Sequence, residues 1–461
     1  MQRLTFILLI ILTHQAWSQR VYVVDKNSET DSSSYAKYIV QPHMGKSIYF
    51  RIDTLKDGDY SFKDSTGYLL CFGKIENQSL EGEWIFNQKS TGTRESVQYE
   101  NGQRQGVSKR FDLFGNLINT STYEKNVLNG IYKEYFEDGS LALSGQYVDG
   151  KKEKTWIEYF PEGQIRIVKS YVNDLPHGKW KYYYYFGRLE AEEYYNNGIK
   201  TGTWVQYFPN KQIEKSFQFK NGMLNGAYKE FYEDGGKSVE GQYKNDLKTG
   251  KWLSFLENGN LFSIGDFKAN MKTGLWKYFA ETGKLASEGQ YRNDLKEDQW
   301  IYYYSTGELN EIGSYLHDEK DGLWGVFYKN EQLAREEYWE FGRLMEVSPH
   351  YSNKGEQLNG GNLSNGTGLV ISYNNEEEIE SEINYLNGYE HGLAKYYYEN
   401  GKIAEEINFT NGLKNGTYTL YHENGKIAET GEFTDDIKTG AWKVYSRSGK
   451  LEDLIKYDKL D

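Results

Sequence analysis

The chain has 461 residues, among them 48 glycines, 5 prolines, 42 tyrosines, 11 tryptophans and 22 phenylalanines, and a formal net charge of −13. The acidic balance disfavours nucleic acid and anionic membrane surfaces, which attract basic footprints, and so many large rings exclude a disordered polar chain. Cys71 is the single cysteine, which excludes a disulfide framework.

The opening residues, MQRLTFILLIILTHQAWSQ, set Arg3 before an apolar run from Leu4 to Leu12 and end on Ala16-Trp17-Ser18, the pattern of a secretory signal over residues 1–18. The apolar run is too short for a permanent bilayer span and no later segment approaches spanning length. The expectation is an exported chain, periplasmic, at the cell surface or secreted, with no stable membrane insertion. Residues 19–57 follow no period. RVYVVD and KSIYFRIDTL within them read as strands and are expected to cap the first hairpin, because an open sheet edge invites pairing.

From Gly58 a glycine returns at a spacing of about 24 residues. The ladder reads Gly58, Gly82, Gly106, Gly130, Lys154 as a substitution, Gly178, Gly202, Gly226, Gly250, Gly274, Asp298 as a second substitution, and Gly322. It resumes at Gly368, Gly392, Gly416 and Gly440. The second place after nearly every rung holds a large ring, as at Trp84, Trp156, Tyr228 and Trp300, and three places later most phrases hold another, as at Tyr159, Phe231 and Tyr303. A turn ending in glycine follows (EDG at Gly139, ENG at Gly259), then an aliphatic residue, then a further ring such as Tyr243 or Tyr291.

Aromatic residues favour strands, and Asn-Gly or Asp-Gly supplies the positive φ of tight hairpins. Each phrase is therefore predicted to be a β-hairpin. The links between phrases (NNG, KNG, KND) carry the same chemistry, so strand follows strand without a crossover helix. The predicted fold is all-β: an elongated array of tandem β-hairpins forming a long, twisted antiparallel meander sheet. The ladder glycines are expected where φ is positive or backbones crowd. In Tyr182 to Tyr185, alternation along a strand is expected to point Tyr182 and Tyr184 to one face and Tyr183 and Tyr185 to the other.

The array divides into residues 58–343 and 368–461. Between them, residues 344–367, with the sequence SPHYSNKGEQLNGGNLSNGT inside, read as an eroded repeat forming a loop or hinge. The pattern G-x-[WY]-x-x-[YF] followed by [ND]-G-x-[LI] and [YF]-x-N-G resembles the MORN-repeat variant of bacterial proteins, some of them classed as toxin–antitoxin antitoxin components. That resemblance covers roughly Gly58 to Tyr457 and departs from the pattern at Lys154, at Asp298 and between Leu344 and Asn365. It implies a binding or scaffolding module, with lipid and protein partners both proposed for such proteins.

Chemistry is sparse. No Gly-x-Ser-x-Gly elbow, phosphate loop or His-Glu-x-x-His motif occurs. His177 and His391 precede ladder glycines at a place otherwise filled by Thr or Asn, and the carboxylates of DGDYSFKD lack calcium-loop spacing. No catalytic, cofactor or metal site is expected. The expected function is an exported, non-enzymatic scaffold that binds protein, with a cell-envelope glycan or a neutralised toxin as alternative partners. The candidate contact surface is the ring set Trp180, Tyr182, Tyr184, Trp204, Trp252, Trp276, Trp300 and Trp324.

Overall fold

A computed structural model describes residues 20–24, 38–43, 46–52, 55–64 and 66–457. Among them every regular element is a strand, and most of the strands pair antiparallel as hairpin repeats in long sheets. The predicted signal over residues 1–18 lies outside the described residues. The chain divides into two units, Met1–Leu224 and Asn225–Asp461.

Two kinds of turn make the repeat. Inside each hairpin a short loop closes, as at Leu256–Asn260, where the Leu256 N–H donates to the Asn260 carbonyl at 2.8 Å and the Gly259 N–H donates back to Leu256 at 2.9 Å. Gly259 has φ of 84° and follows Asn258, whose Oδ1 accepts the Asn260 N–H at 2.9 Å. One left-handed residue after a tight turn leaves an extra residue on one strand, and the register shifts there between Ser254 and Phe255.

The link between repeats is a two-residue turn with both residues left-handed, as at Asn245 (φ 52°) and Asp246 (φ 66°). Successive links clasp one another. The Lys272 N–H donates to Asp294 Oδ1 at 2.6 Å, and the Asp294 N–H donates to the Lys272 carbonyl at 3.1 Å. Asp or Asn at the second place thus tolerates the left-handed conformation and also supplies the acceptor.

The ladder glycines mark a second register shift. Gly250 sits where pairing jumps from Gln242–Thr249 to Glu240–Leu253, with φ of 61° and open space where a Cβ would stand. Conformation, not crowding, therefore selects glycine at this rung. Lys154 (φ 58°) and Asp298 (φ 55°) adopt the same left-handed state where the ladder breaks.

In the first unit, Arg20–Val24 pairs in parallel with Gly58–Asp64 and so covers the edge of the first repeat. This pair departs from the all-antiparallel meander expected from the repeats. Parallel pairing needs a long return connection, and within that connection Tyr38–His43 and Lys46–Arg51 form a separate hairpin. Tyr60, Phe62, Leu70, Cys71, Ile75 and Trp84 build a buried core in the first repeats.

In the second unit, residues 344–367 are not the free loop that their Ser, Asn and Gly content predicts. Arg343–Val347 pairs with Leu333–Glu340, and His350–Tyr351 pairs with Gln357–Leu358. Leu344, Leu363 and Val370 form a buried cluster with Trp339, Val347 and Tyr385 packed against it. The Gly366 N–H donates to the Met345 carbonyl and the Gly388 N–H to the Gly366 carbonyl, both at 2.8 Å, which joins this segment to the sheet running from Gly368 to Tyr457. Ser352 is buried and acts as an acceptor: its Oγ takes the Lys354 and Glu356 N–H groups.

Candidate binding surface

The structure assigns most of the predicted surface residues to the interior of the sheet. Trp180, Trp204, Trp252, Trp276, Trp300 and Trp324 are all buried, from 9 % exposure at Trp180 to 0 % at Trp324. This corrects their role as contact residues. A single-layer sheet can bury such rings only by laying them flat, and three features of the repeat do so.

The first is a second glycine column, which the periodicity of the ladder did not draw attention to. Gly241, Gly265, Gly289, Gly313 and Gly431 have ordinary extended backbone, yet a Cβ on each would collide with the indole of Trp252, Trp276, Trp300, Trp324 or Trp442 respectively. These glycines are required for space. The internal signal was the fixed offset of eleven residues between glycine and tryptophan. Where the position holds Lys169, its ammonium lies 5.3 Å from the Trp180 ring and is anchored by Glu158 Oε1 at 2.6 Å.

The second feature is a lysine over the ring. Lys248, Lys272, Lys296 and Lys320 stand 4.5, 4.8, 4.7 and 4.1 Å from the centroids of Trp252, Trp276, Trp300 and Trp324. The third is satisfaction of the indole N–H: Trp276, Trp300 and Trp324 donate to the carbonyls of Asp266, Gln290 and Ser314 at 3.2, 3.0 and 3.0 Å. Between consecutive tryptophans stands an edge-on ring. Tyr291 is 5.1 Å from Trp300 at 89°, and Tyr315 is 5.1 Å from Trp324 at 87°. Such pairs contribute about 0.5–1.5 kcal/mol each beyond burial.

Tyr182 and Tyr184 are half-buried and both hydroxyls are engaged. Tyr182 donates to Glu193 Oε2 at 2.9 Å, and burial together with that carboxylate raises its pKa well above the usual phenol range. The strand ends at Tyr183, and the register shifts between Tyr182 and Tyr183, so the expected alternation through Tyr185 does not hold. Tyr184 instead belongs to the turn, where it donates to the Tyr207 carbonyl at 2.7 Å and stacks on Phe186 at 5.3 Å. The exposed rings here are Tyr185, at 70 %, and Phe186, at 44 %. Arg188 lies 5.6 Å from the Phe186 ring, and a shallow groove runs from these residues to Tyr207 and Lys211.

The opposite face alternates from repeat to repeat. In the second unit Lys229 faces Glu240, Leu253 faces Ile264, Lys277 faces Glu288, and Ile301 faces Ile312. The ring five places after the rung follows this alternation. Tyr303 donates to Glu288 Oε1 at 3.1 Å and Tyr421 to Glu406 Oε2 at 2.8 Å, whereas Phe279 and Phe327 stand where the equivalent neighbours are Ile264 and Ile312.

One buried polar group sits near residue 350. Arg335 Nη2 pairs with Glu337 Oε1 at 2.7 Å, Trp339 Nε1 donates to Glu337 Oε2 at 2.9 Å, and Arg335 Nη1 donates to Ser372 Oγ at 2.8 Å. His350, 1 % exposed, lies 3.0 Å from the Tyr328 hydroxyl through Nε2. Burial, helped by Arg335, lowers its pKa to about 4. Among the described residues no group of three or more His, Cys, Asp or Glu side chains could hold a metal ion, and no helix is long and apolar enough to cross a membrane.

Nine segments, 128–149, 152–173, 176–197, 200–221, 224–245, 248–269, 272–293, 390–411 and 414–435, match the MORN repeat variant. These nine segments of the chain are thus similar to the MORN repeat variant. No curated protein matches it at a significant level. Solved structures that align include the TcdB2-TccC3-Cdc42 crystal structure, 11% identical over 86% of this chain, and the Photorhabdus luminescens Tc holotoxin pore, 11% identical over 87%. In both the chain spans 26% of the solved chain, and a TM-score of 0.13 supports no inference from either.

Proposed function

We propose that this chain is an exported, non-enzymatic scaffold that binds another protein along its repeats. The observation that carries this is the division of labour among its side chains. The large rings are used to hold strands together, while the edges carry ordered rows of exposed aliphatic residues, among them Leu247, Met271 and Leu295. Regular surfaces without a deep cleft suit an extended partner. Export rests on the sequence pattern of residues 1–18. Cross-linking followed by affinity capture of the full chain from envelope and medium fractions tests the proposal: a stoichiometric protein partner is expected, and repeated recovery of the chain alone would overturn it.

A glycan is the second reading, and one observation favours it. Tyr185 and Phe186 are exposed rings beside Arg188, an arrangement on which a sugar could stack and hydrogen-bond. Retention on cell-wall polysaccharide that disappears in Tyr185→Ala/Phe186→Ala supports it; equal retention by that variant removes it. An antitoxin-like role is the protein-binding reading with a toxin as the partner, and predicts that loss of the gene sensitises cells to that toxin.

A further inference from the structure

In the second unit the links between repeats bring two parallel rows to one edge of the sheet. Leu247, Met271 and Leu295 are exposed there, and each is followed in the chain by a lysine, Lys248, Lys272 or Lys296. Lys272 and Lys296 donate to the hydroxyls of Tyr278 and Tyr302, both at 2.9 Å. Among the described residues no carboxylate lies within 4.0 Å of these three ammonium groups. The next lysine, Lys320, is already paired with Glu311 at 3.2 Å and closes the row. Asp294 and Asp318 face the same edge, but each commits Oδ1 to a backbone N–H, of Lys272 and Lys296 respectively.

Those carboxylates keep their charge, but within the links 244–248, 268–272 and 292–296 six basic residues, Lys244, Lys248, Lys268, Lys272, Arg292 and Lys296, stand against two acidic ones, Asp246 and Asp294, so the row is short of negative charge. Lys296 has its pKa lowered by burial and, against the pull of Asp318, by the neighbouring Lys272 and Lys320. Successive lysines are two strands apart, about 10 Å. A ligand that neutralises all three must present anions at that spacing, with apolar groups beside them to cover the aliphatic row.

We propose that this edge docks an acidic, extended segment of the partner protein in polyproline II conformation, with a carboxylate at every third residue facing Lys248, Lys272 and Lys296. The polyproline II helix has three residues per turn and a rise of about 3.1 Å, so one face repeats about every 9 Å, close to the lysine spacing. A β-strand repeats a face about every 6.6 Å and falls out of phase. An α-helix, about 10–12 Å across, would need a groove that this strip of turns lacks. The inference rests on the protein-binding reading above and names the partner segment.

The test is fluorescence anisotropy of the full chain with a labelled peptide of six Glu-Pro-Pro repeats, beside one of the same composition with its glutamates clustered. The periodic peptide is expected to bind at least tenfold more tightly. Lys272→Gln/Lys296→Gln is expected to lose at least tenfold in affinity, and Leu247→Gln/Met271→Gln/Leu295→Gln, which alters only exposed side chains, at least threefold. Equal affinity for the two peptides, no binding of either, or an unaffected leucine–methionine variant would overturn the proposal. So would tighter lysine-dependent binding to anionic phospholipid vesicles or to an acidic polysaccharide than to the periodic peptide. If affinity capture recovers a protein with the lysine variant as well as with the native chain, this site fails and the scaffold reading stands. If neither recovers one, the scaffold reading itself fails.

Discussion

Gly289 lies directly under the indole of Trp300: the two residues face each other across adjacent strands, and the space a Cβ would need on Gly289 is filled by the ring. The indoles of Trp276 and Trp324 fill the Cβ space of Gly265 and Gly313 in the same way. A sheet only one layer thick thereby acquires an interior.

Gly289→Ala tests that relation at its smallest. The added methyl must displace a ring packed between Tyr291 and Lys296, and overpacking of this kind costs about 1–3 kcal/mol. Chemical denaturation should show a lowered midpoint and an increase in Trp300 fluorescence quenching. A Gly289→Ala chain as stable as the native one would remove the packing account.

Ladder glycines such as Gly250, Gly274 and Gly440 should behave differently, because their Cβ space is open and φ alone selects them. A left-handed non-glycine residue costs about 1–2 kcal/mol, of which glycine's extra freedom in the unfolded chain offsets up to about 1 kcal/mol. Lys154→Gly and Asp298→Gly are therefore expected to stabilise their repeats by about 0.5–1 kcal/mol. Hydrogen exchange of the amides in Lys151–Tyr159 and Leu295–Tyr303 reports this locally; unchanged or faster exchange there would contradict it.

His350 predicts a pH dependence confined to the joint around residues 344–367. Its pKa is lower folded than unfolded, about 4 against 6.5, so the unfolded chain takes up the proton first. The stability that neutral His350 contributes is complete above pH 6.5 and is lost progressively as pH falls toward 4. Exchange of the Leu344 and Gly366 amides should accelerate over that window, and His350→Gln should flatten the dependence. Acceleration of equal size in the His350→Gln chain would assign it to other groups.

The choice of Tyr or Phe five places after the rung should matter only where a carboxylate waits. Tyr303→Phe removes the bond to Glu288 and is expected to cost about 1 kcal/mol. Phe279→Tyr, which points a hydroxyl toward Ile264, should gain nothing. Thermal midpoints of the two variants decide this, and a stabilised Phe279→Tyr chain would count against the pairing rule.

The repeat was legible because its period, ring positions and turn residues each point to a hairpin, and the strands around Gly250 and Gly274 run as those signals predict. What one chain's periodicity could not show is which face a ring column covers. Trp276 and Trp300 look like contact residues until Gly265 and Gly289 are placed beneath them and Lys272 and Lys296 over them. Residues 344–367 misled for a related reason. Ser352 and Asn353 have loop-like chemistry, but the burial of His350 and Leu363 depends on contacts with residues more than twenty positions away or in a different sheet. Tyr185 and Phe186 were hidden by the run of tyrosines before them, where a register shift ends the alternation early.

Oxidative footprinting of the native chain, read residue by residue by mass spectrometry, tests most directly whether the tryptophan columns are internal. Trp276, Trp300 and Trp324 should be labelled far more slowly than Tyr185 and Phe186, after correction for intrinsic reactivity. Labelling of those tryptophans at the rate of Tyr185 would show the column to be open, and the glycine-seated interior described above would then be wrong.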